Sequence, residues 1–224
     1  MKTEVFEFKG MKCILRFPTD YEQGKKYPAI MLLHGAGTRG NDIEALKGNP
    51  YFPLTEKHES FPFVTVAPQC YTDTWFDIWG ELKMLAQYVS ELEFVDPARV
   101  YLMGASMGGY GTWQLAMSLP DTFAAIVPIC GGGMYWNAGK LKNVPVWAFH
   151  GALDQTVLPE ESEKMVNAVN KRGGSAKLTI YPENGHNAWS DTYSNLEVFE
   201  WMLSHTNQKL QGFENEYKGS AIFG

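Results

Sequence analysis

Cysteine is scarce in this chain: Cys13, Cys70 and Cys130 are the only three among 224 residues, widely spaced and odd in number. No Cys-x-x-Cys pair occurs, which removes the usual zinc-ligand spacing and any disulfide framework. The expectation is three buried thiols in a reducing compartment. Long apolar runs are also missing, so no membrane-spanning segment is expected. Charges interrupt the first nine residues, Met1 to Lys9, too often for a secretory leader. Lysine and arginine do not cluster and the net charge is −6, which argues against a nucleic-acid partner. Internal repeats and low-complexity tracts are absent. These gaps leave a globular protein of ordinary composition, long enough to bury a full core as one domain over residues 1–224. A cytoplasmic location follows as an expectation. No metal or other cofactor is implied, and nothing in the pattern specifies an oligomer.

Aromatic residues are plentiful, at 14% with seven tryptophans, and some of these rings are expected to line a site rather than fill the core. The chain alternates short apolar runs with helical patterns. Residues 4–8 and 11–17 read as two paired early strands. Continuous apolar runs follow at 28–33, 63–67, 100–103, 124–130, 144–149 and 176–181. Runs without polar alternation suit strands covered on both faces. Between them, Ile78, Leu82, Leu85, Ala86, Val89 and Leu92 fall on one helical face. A second helix is expected over 107–118, stopping at Pro120. A third, over 160–171, turns Met165, Val166 and Val169 inward, and Leu196, Phe199 and Leu203 mark a last one. The alternation predicts an α/β fold with a mainly parallel sheet of about eight strands and helices on both faces. Residues 206–224 show no period and are expected to form a surface tail.

Chemistry concentrates in a few segments. Gly104-Ala105-Ser106-Met107-Gly108 follows an apolar strand and opens a helix, the context that turns a weak Gly-x-Ser-x-Gly pattern into a nucleophile elbow. Such a turn holds Ser106 in a strained conformation and forces the residues two before and two after it to be very small. A serine nucleophile needs a base. In a sheet of this kind the chain order is nucleophile, acid, histidine. His34 and His58 precede Ser106. His34 and His150 each close a strand before a glycine and read as structural turn residues, and His205 reads as a surface residue. His186, in the loop after the last strand, is left as the base. Asp154, in Gly151-Ala152-Leu153-Asp154-Gln155, occupies the loop where the acid belongs. Asp191 is the rival but comes after His186, and helix or turn capping accounts for Asp96 and Asp121. Backbone N–H groups of Ala36, in His34-Gly35-Ala36-Gly37, and of Met107 are candidates for an oxyanion hole.

Together these segments resemble the α/β-hydrolase superfamily. Within it the chain is similar to compact bacterial esterases related to dienelactone hydrolases, phospholipase/carboxylesterases and the catalytic domains of prolyl oligopeptidase-type peptidases. The resemblance rests on Leu33 to Gly37, Ala67-Pro68-Gln69-Cys70, Gly104 to Gly111, His150 to Asp154 and Gly185 to Trp189, and spans roughly residues 28–205. Dienelactone hydrolases proper carry a cysteine where this chain has Ser106, and feruloyl esterases share the general pattern. The resemblance implies hydrolysis of a small-molecule ester through an acyl-enzyme. Thioester and peptide hydrolysis remain open, as does an inactive binding protein on the same fold.

The run between Cys130 and Val144 is too short for a helical cap domain, so an open cleft is expected. Trp75, Trp79, Trp136 and Trp189 stand in loops near its rim and are candidates to line it. Flat aromatic walls favour short or aryl groups over long acyl chains.

Overall fold

Two-residue alternation and one tight turn build the start of the chain. Thr3–Phe8 (β1) and Met11–Arg16 (β2) pair antiparallel. Lys9 and Gly10 join them with positive φ at both positions, 46° and 85°, the twist a two-residue hairpin needs. The apolar runs become Tyr27–Leu33 (β3), Val64–Pro68 (β4), Val95–Ala105 (β5), Ala125–Ile129 (β6), Val146–Gly151 (β7) and Ala176–Tyr181 (β8). The computed structural model describes residues 1–211, and in it these strands form one sheet in the order β1-β2-β4-β3-β5-β6-β7-β8. The pairs β1/β2 and β2/β4 are antiparallel and every other pair is parallel. β5 begins five residues earlier than the apolar run that announced it. Asp96 to Arg99 interrupt its register with β3, and the Asp96 carboxylate holds the irregularity by accepting from Ala98 N–H and pairing with Arg99.

The helices are Ile43–Lys47 (α1), Tyr51–Thr55 (α2), Trp79–Glu91 (α3), Met107–Ser118 (α4), Glu160–Lys171 (α5), Trp189–Ser194 (α6), Leu196–Leu203 (α7) and Gln208–Gln211 (α8). Successive side chains of a strand point to opposite faces, and β3 shows what that does. Ala29, Met31 and Leu33 join one apolar core with α3, α4 and α5, while Ile30 and Leu32 join a second with α2, α6 and α7. A fully buried Leu, Ile or Met side chain contributes roughly 1.5–3 kcal/mol, so register is strongly specified on both faces. α4 lies deepest: eight of its twelve residues are buried, because it crosses the middle of the sheet.

Two details differ from the sequence-based expectation. α7 occupies the expected residues, but Val198, Phe199 and Met202 face inward while Leu196 is exposed. His205 is half-buried rather than a surface residue: its ring packs edge-on to Trp201 and its carbonyl accepts from the Tyr101 hydroxyl. Of the expected tail, residues 208–211 form the short α8, and 212–224 lie outside the described residues. No helix among the described residues is long and apolar enough to cross a membrane.

The parallel registers bring the strand ends together. Leu33 pairs with Gly104, Ala105 with Ile129, Ile129 with Phe149, and Gly151 with Tyr181. The loops that follow these strands therefore meet along one sheet edge, beside the point where the chain reverses its winding direction between β3 and β5. Open α/β sheets bind ligands at that position.

Candidate functional site

Ser106 stands between β5 and α4 with φ 56° and ψ −118°, a region that costs a non-glycine residue about 1–3 kcal/mol. The surroundings enforce it. Ser106 N–H donates to Ile129 O at 2.9 Å, and its carbonyl accepts from Tyr110 N–H at 3.0 Å. The expectation of very small neighbours holds: a Cβ on Gly104 would lie 2.4 Å from Gly108 O, and one on Gly108 would lie 2.0 Å from Leu33 O. The serine is thereby lifted off the strand end at the start of a helix, where positive partial charge collects.

The Ser106 hydroxyl lies 2.9 Å from His186 Nε2, and His186 Nδ1 lies 2.7 Å from Asp154 Oδ2. Three loops, after β5, β7 and β8, thus converge on one hydrogen-bonded chain. The ionised Asp154 accepts from Nδ1–H, which leaves Nε2 free to accept from the serine hydroxyl. Asp154 is 3% exposed. Burial by itself would raise its pKa. The hydrogen bonds from His186, Val157 N–H and Thr156 N–H outweigh that and hold the carboxyl below its ordinary value. The rival Asp191 makes no hydrogen bond or ion pair with His186; it accepts from the Asn184 side chain.

The remaining strand-end histidines hold loops in place. His34 Nδ1–H donates to Gly35 O and its Nε2 accepts from Cys70 N–H at 2.9 Å. That arrangement needs a neutral ring, and burial lowers its pKa to about 4. His150 is fully buried, with Nδ1 2.7 Å from the Ser162 hydroxyl and Nε2–H donating to Val157 O. The same Nε2 lies 3.2 Å from Asp154 Oδ2, so one carboxylate oxygen faces both His150 and His186.

The turn after β3 flanks the serine. A Cβ on Gly35 would sit 3.5 Å from Ser106 Cβ, and Ala36–Thr38 form a short 3-10 turn. Its carbonyls are drawn away from the serine: Ala36 O accepts from Arg39 Nε–H and Thr38 O from the Gln69 amide. Ala36 and Met107 each begin a helical turn, where N–H groups have no intrahelical partner. Cys130 lies beneath this group, its sulfur within 4.8 Å of ligand atoms of both Asp154 and His186. As a metal site the set fits poorly: Asp154 and His186 are bonded to each other, and burial pushes the thiol up to about 12, which keeps it in the form that does not ligate.

A cavity of about 390 Å³ opens beside Ser106 and His186, walled by the 35–38 turn, Asn49, Pro50, Thr156, Trp189 and Tyr193. Of the four tryptophans expected to line the site, Trp189 does so, edge-on to His186 with ring centroids 5.3 Å apart. The other three require correction. Trp75 is fully buried beneath the loop after β3, its indole N–H donating to His34 O at 3.1 Å. Trp79 packs on the core and stacks on Phe76. Trp136 is 63% exposed and lies outside the cavity wall. Asn49, Pro50 and Tyr193 were not anticipated. Tyr193 follows Trp189 by four residues and so shares its helical face, and Asn-Pro before a short apolar segment is a helix-opening pattern.

Comparison with known proteins identifies the family and the fold. The model of the dienelactone hydrolase family matches residues 63–202, more than half of the chain. Probable feruloyl esterase C of Aspergillus niger is 25% identical over 197 residues, which cover 84% of this chain and 72% of that protein. The crystal structure of a thermostable esterase superposes with a TM-score of 0.76 at 29% identity, covering 92% of this chain; the chain in turn spans 63% of that esterase. Est1E from Butyrivibrio proteoclasticus superposes at 0.68 with 16% identity, over 90% of this chain and 99% of Est1E, and that likeness speaks for the fold alone. The chain belongs to the dienelactone hydrolase family, built on the α/β-hydrolase fold.

Proposed function

We propose that this protein is a serine hydrolase that cleaves carboxylic esters, short-chain or aryl, through an acyl-enzyme. The observation that carries the reading is the continuous chain from Ser106 Oγ through His186 to Asp154, with links of 2.9 and 2.7 Å. Ser106 Oγ attacks the ester carbonyl while His186 Nε2 takes its proton. Asp154, held ionised, orients the imidazole and stabilises the imidazolium that forms. The tetrahedral oxyanion is received by the N–H groups of Ala36 and Met107, in the role such preorganised donors perform. His186 then hands its proton to the departing alkoxide. In the second half water attacks the acyl-Ser106 carbonyl, losing its proton to His186; the bond to Ser106 Oγ then breaks, Oγ takes that proton back from His186, and the acid is released. Similarity to a feruloyl esterase and to a thermostable esterase supports ester hydrolysis, and the aromatic and proline walls of the cavity suit a flat or short group.

Reaction with a fluorophosphonate probe, followed by mapping of the labelled residue, tests the nucleophile. Labelling is expected at Ser106. Ser106→Ala should abolish it and reduce kcat on a 4-nitrophenyl ester by about 10⁶-fold. Near wild-type hydrolysis by that variant would overturn the assignment. A panel of matched ester, thioester and peptide substrates separates the three activities open to such a site, with the ester expected to turn over fastest.

A further inference from the structure

His150 is a fully buried side chain to which the reaction at Ser106 assigns no step. Two of its contacts lead to the acid. Its Nε2 lies 2.9 Å from Val157 O and 3.2 Å from Asp154 Oδ2. A carbonyl and an ionised carboxylate can only accept, so Nε2 carries a proton. Val157 in turn donates its own N–H to Asp154 Oδ1 at 3.0 Å. His150 thus pins, by its carbonyl, the residue whose N–H holds one carboxylate oxygen. It also sets an N–H dipole against the other oxygen, the one that faces His186.

The ring is fixed on its Nδ1 side as well. Nδ1 lies 2.7 Å from Ser162 Oγ, and that hydroxyl lies 2.9 Å from Gly131 O, just after β6. Ser162, in the first turn of α5, is fully buried. Buried polar groups are costly unless partnered, and here every contact runs toward a loop of the site. The loop that carries Asp154 has little else to anchor it: Leu153 and Leu158 are 61% and 56% exposed. We infer that His150, steadied by Ser162, is a positioning residue for Asp154, and that it acts on the reaction only through that carboxylate. This role rests on the ester-hydrolase reading and adds a residue outside Ser106, His186 and Asp154.

Kinetics on a 4-nitrophenyl ester test it. His150→Leu removes the N–H and should lower kcat by about 10–100-fold with KM unchanged, because a misdirected acid misaligns the base and leaves the cavity as it was. His150→Gln offers an amide N–H of similar reach and should recover most of that loss. In the Asp154→Asn background the His150→Leu step should cost less than about threefold, since residues that act as a unit are not additive. Ser162→Ala should lower kcat in the same way, by a smaller factor, and carries the test if His150→Leu does not fold. Four results overturn the inference: unchanged kcat in the folded variants, a loss carried by KM, no recovery in folded His150→Gln, or an equal loss with and without Asp154→Asn. Each of them leaves the ester-hydrolase reading standing. Failure of wild-type protein to cleave the ester, together with no fluorophosphonate labelling of Ser106, instead sinks that reading.

Discussion

Asp154 accepts three hydrogen bonds, from Thr156 and Val157 N–H on one oxygen and from His186 on the other, with His150 Nε2 3.2 Å from that second oxygen. A carboxylate so placed stays ionised while buried, and it can hold one imidazole tautomer. Asp154→Asn is therefore expected to lower kcat by roughly 10⁴-fold, the scale of a wrong tautomer, whereas Asp191→Asn should have a small effect because Asp191 meets Asn184 and not the histidine. Steady-state kinetics of the two variants decide it, and the reverse order would reassign the acid. His34 makes a different prediction. Burial depresses its pKa to about 4, below its ordinary value in the unfolded chain, about 6.5. Between those values the unfolded chain binds more protons than the folded one, so stability falls as pH falls. The full window amounts to roughly 3 kcal/mol. Urea unfolding measured from pH 7 to pH 4.5 should show most of that loss, and His34→Gln should flatten the curve. An equally steep curve in the variant would mean that another group is responsible.

At the scale of elements, the approach of α4 to β3 is the tightest constraint on the site. Only hydrogen at position 108 lets the helix start against the Leu33 carbonyl. Gly108→Ala is expected to destabilise the protein by roughly 3 kcal/mol or more, because backbone rather than a movable side chain must yield. Gly80→Ala makes the same substitution in α3, where a Cβ meets nothing within 4 Å. It should be neutral or stabilising by up to about 1 kcal/mol. Thermal unfolding of the pair reads both signs, and equal shifts would remove the steric argument. α1, α2 and α6 were not foreseen, because five or six residues are too few to display a helical period. α2 even contains Pro53, which argues against a helix unless it stands in the first turn. These short elements are nonetheless the ones that bring Asn49, Trp189 and Tyr193 to the cavity.

For the molecule as a whole, the β6–β7 connection decides access. It contains one short 3-10 segment, Tyr135–Leu141, and no inserted domain. Among the described residues, the cavity beside Ser106 therefore lies between loops with no inserted domain over it. Soluble short-chain and aryl esters should be cleaved faster than emulsified long-chain triglyceride, without a rise in rate when an oil–water interface forms. Titrating a short-chain ester through its solubility limit measures this; a jump at that limit, or faster turnover of the emulsion, would contradict it.

The α/β class, all eight strands, the four long helices and the order of Ser106, Asp154 and His186 were legible in the linear chain. Each depends on local chemistry: continuous apolar runs for covered strands, helical spacing for α3 and α5, and Gly-x-Ser-x-Gly at a strand-to-helix junction. The tertiary structure alone decided which tryptophan meets the cavity. Trp75, Trp79, Trp136 and Trp189 all sit in or beside loops, but whether a ring enters the core, the surface or the cavity depends on how distant loops pack. It also decided that Asn49 and Tyr193, 144 residues apart in the chain, face one space. Periodicity reports which face of an element is apolar, and it carries no information about which elements converge at a sheet edge. That convergence follows from strand order and parallel register, which long-range packing determines.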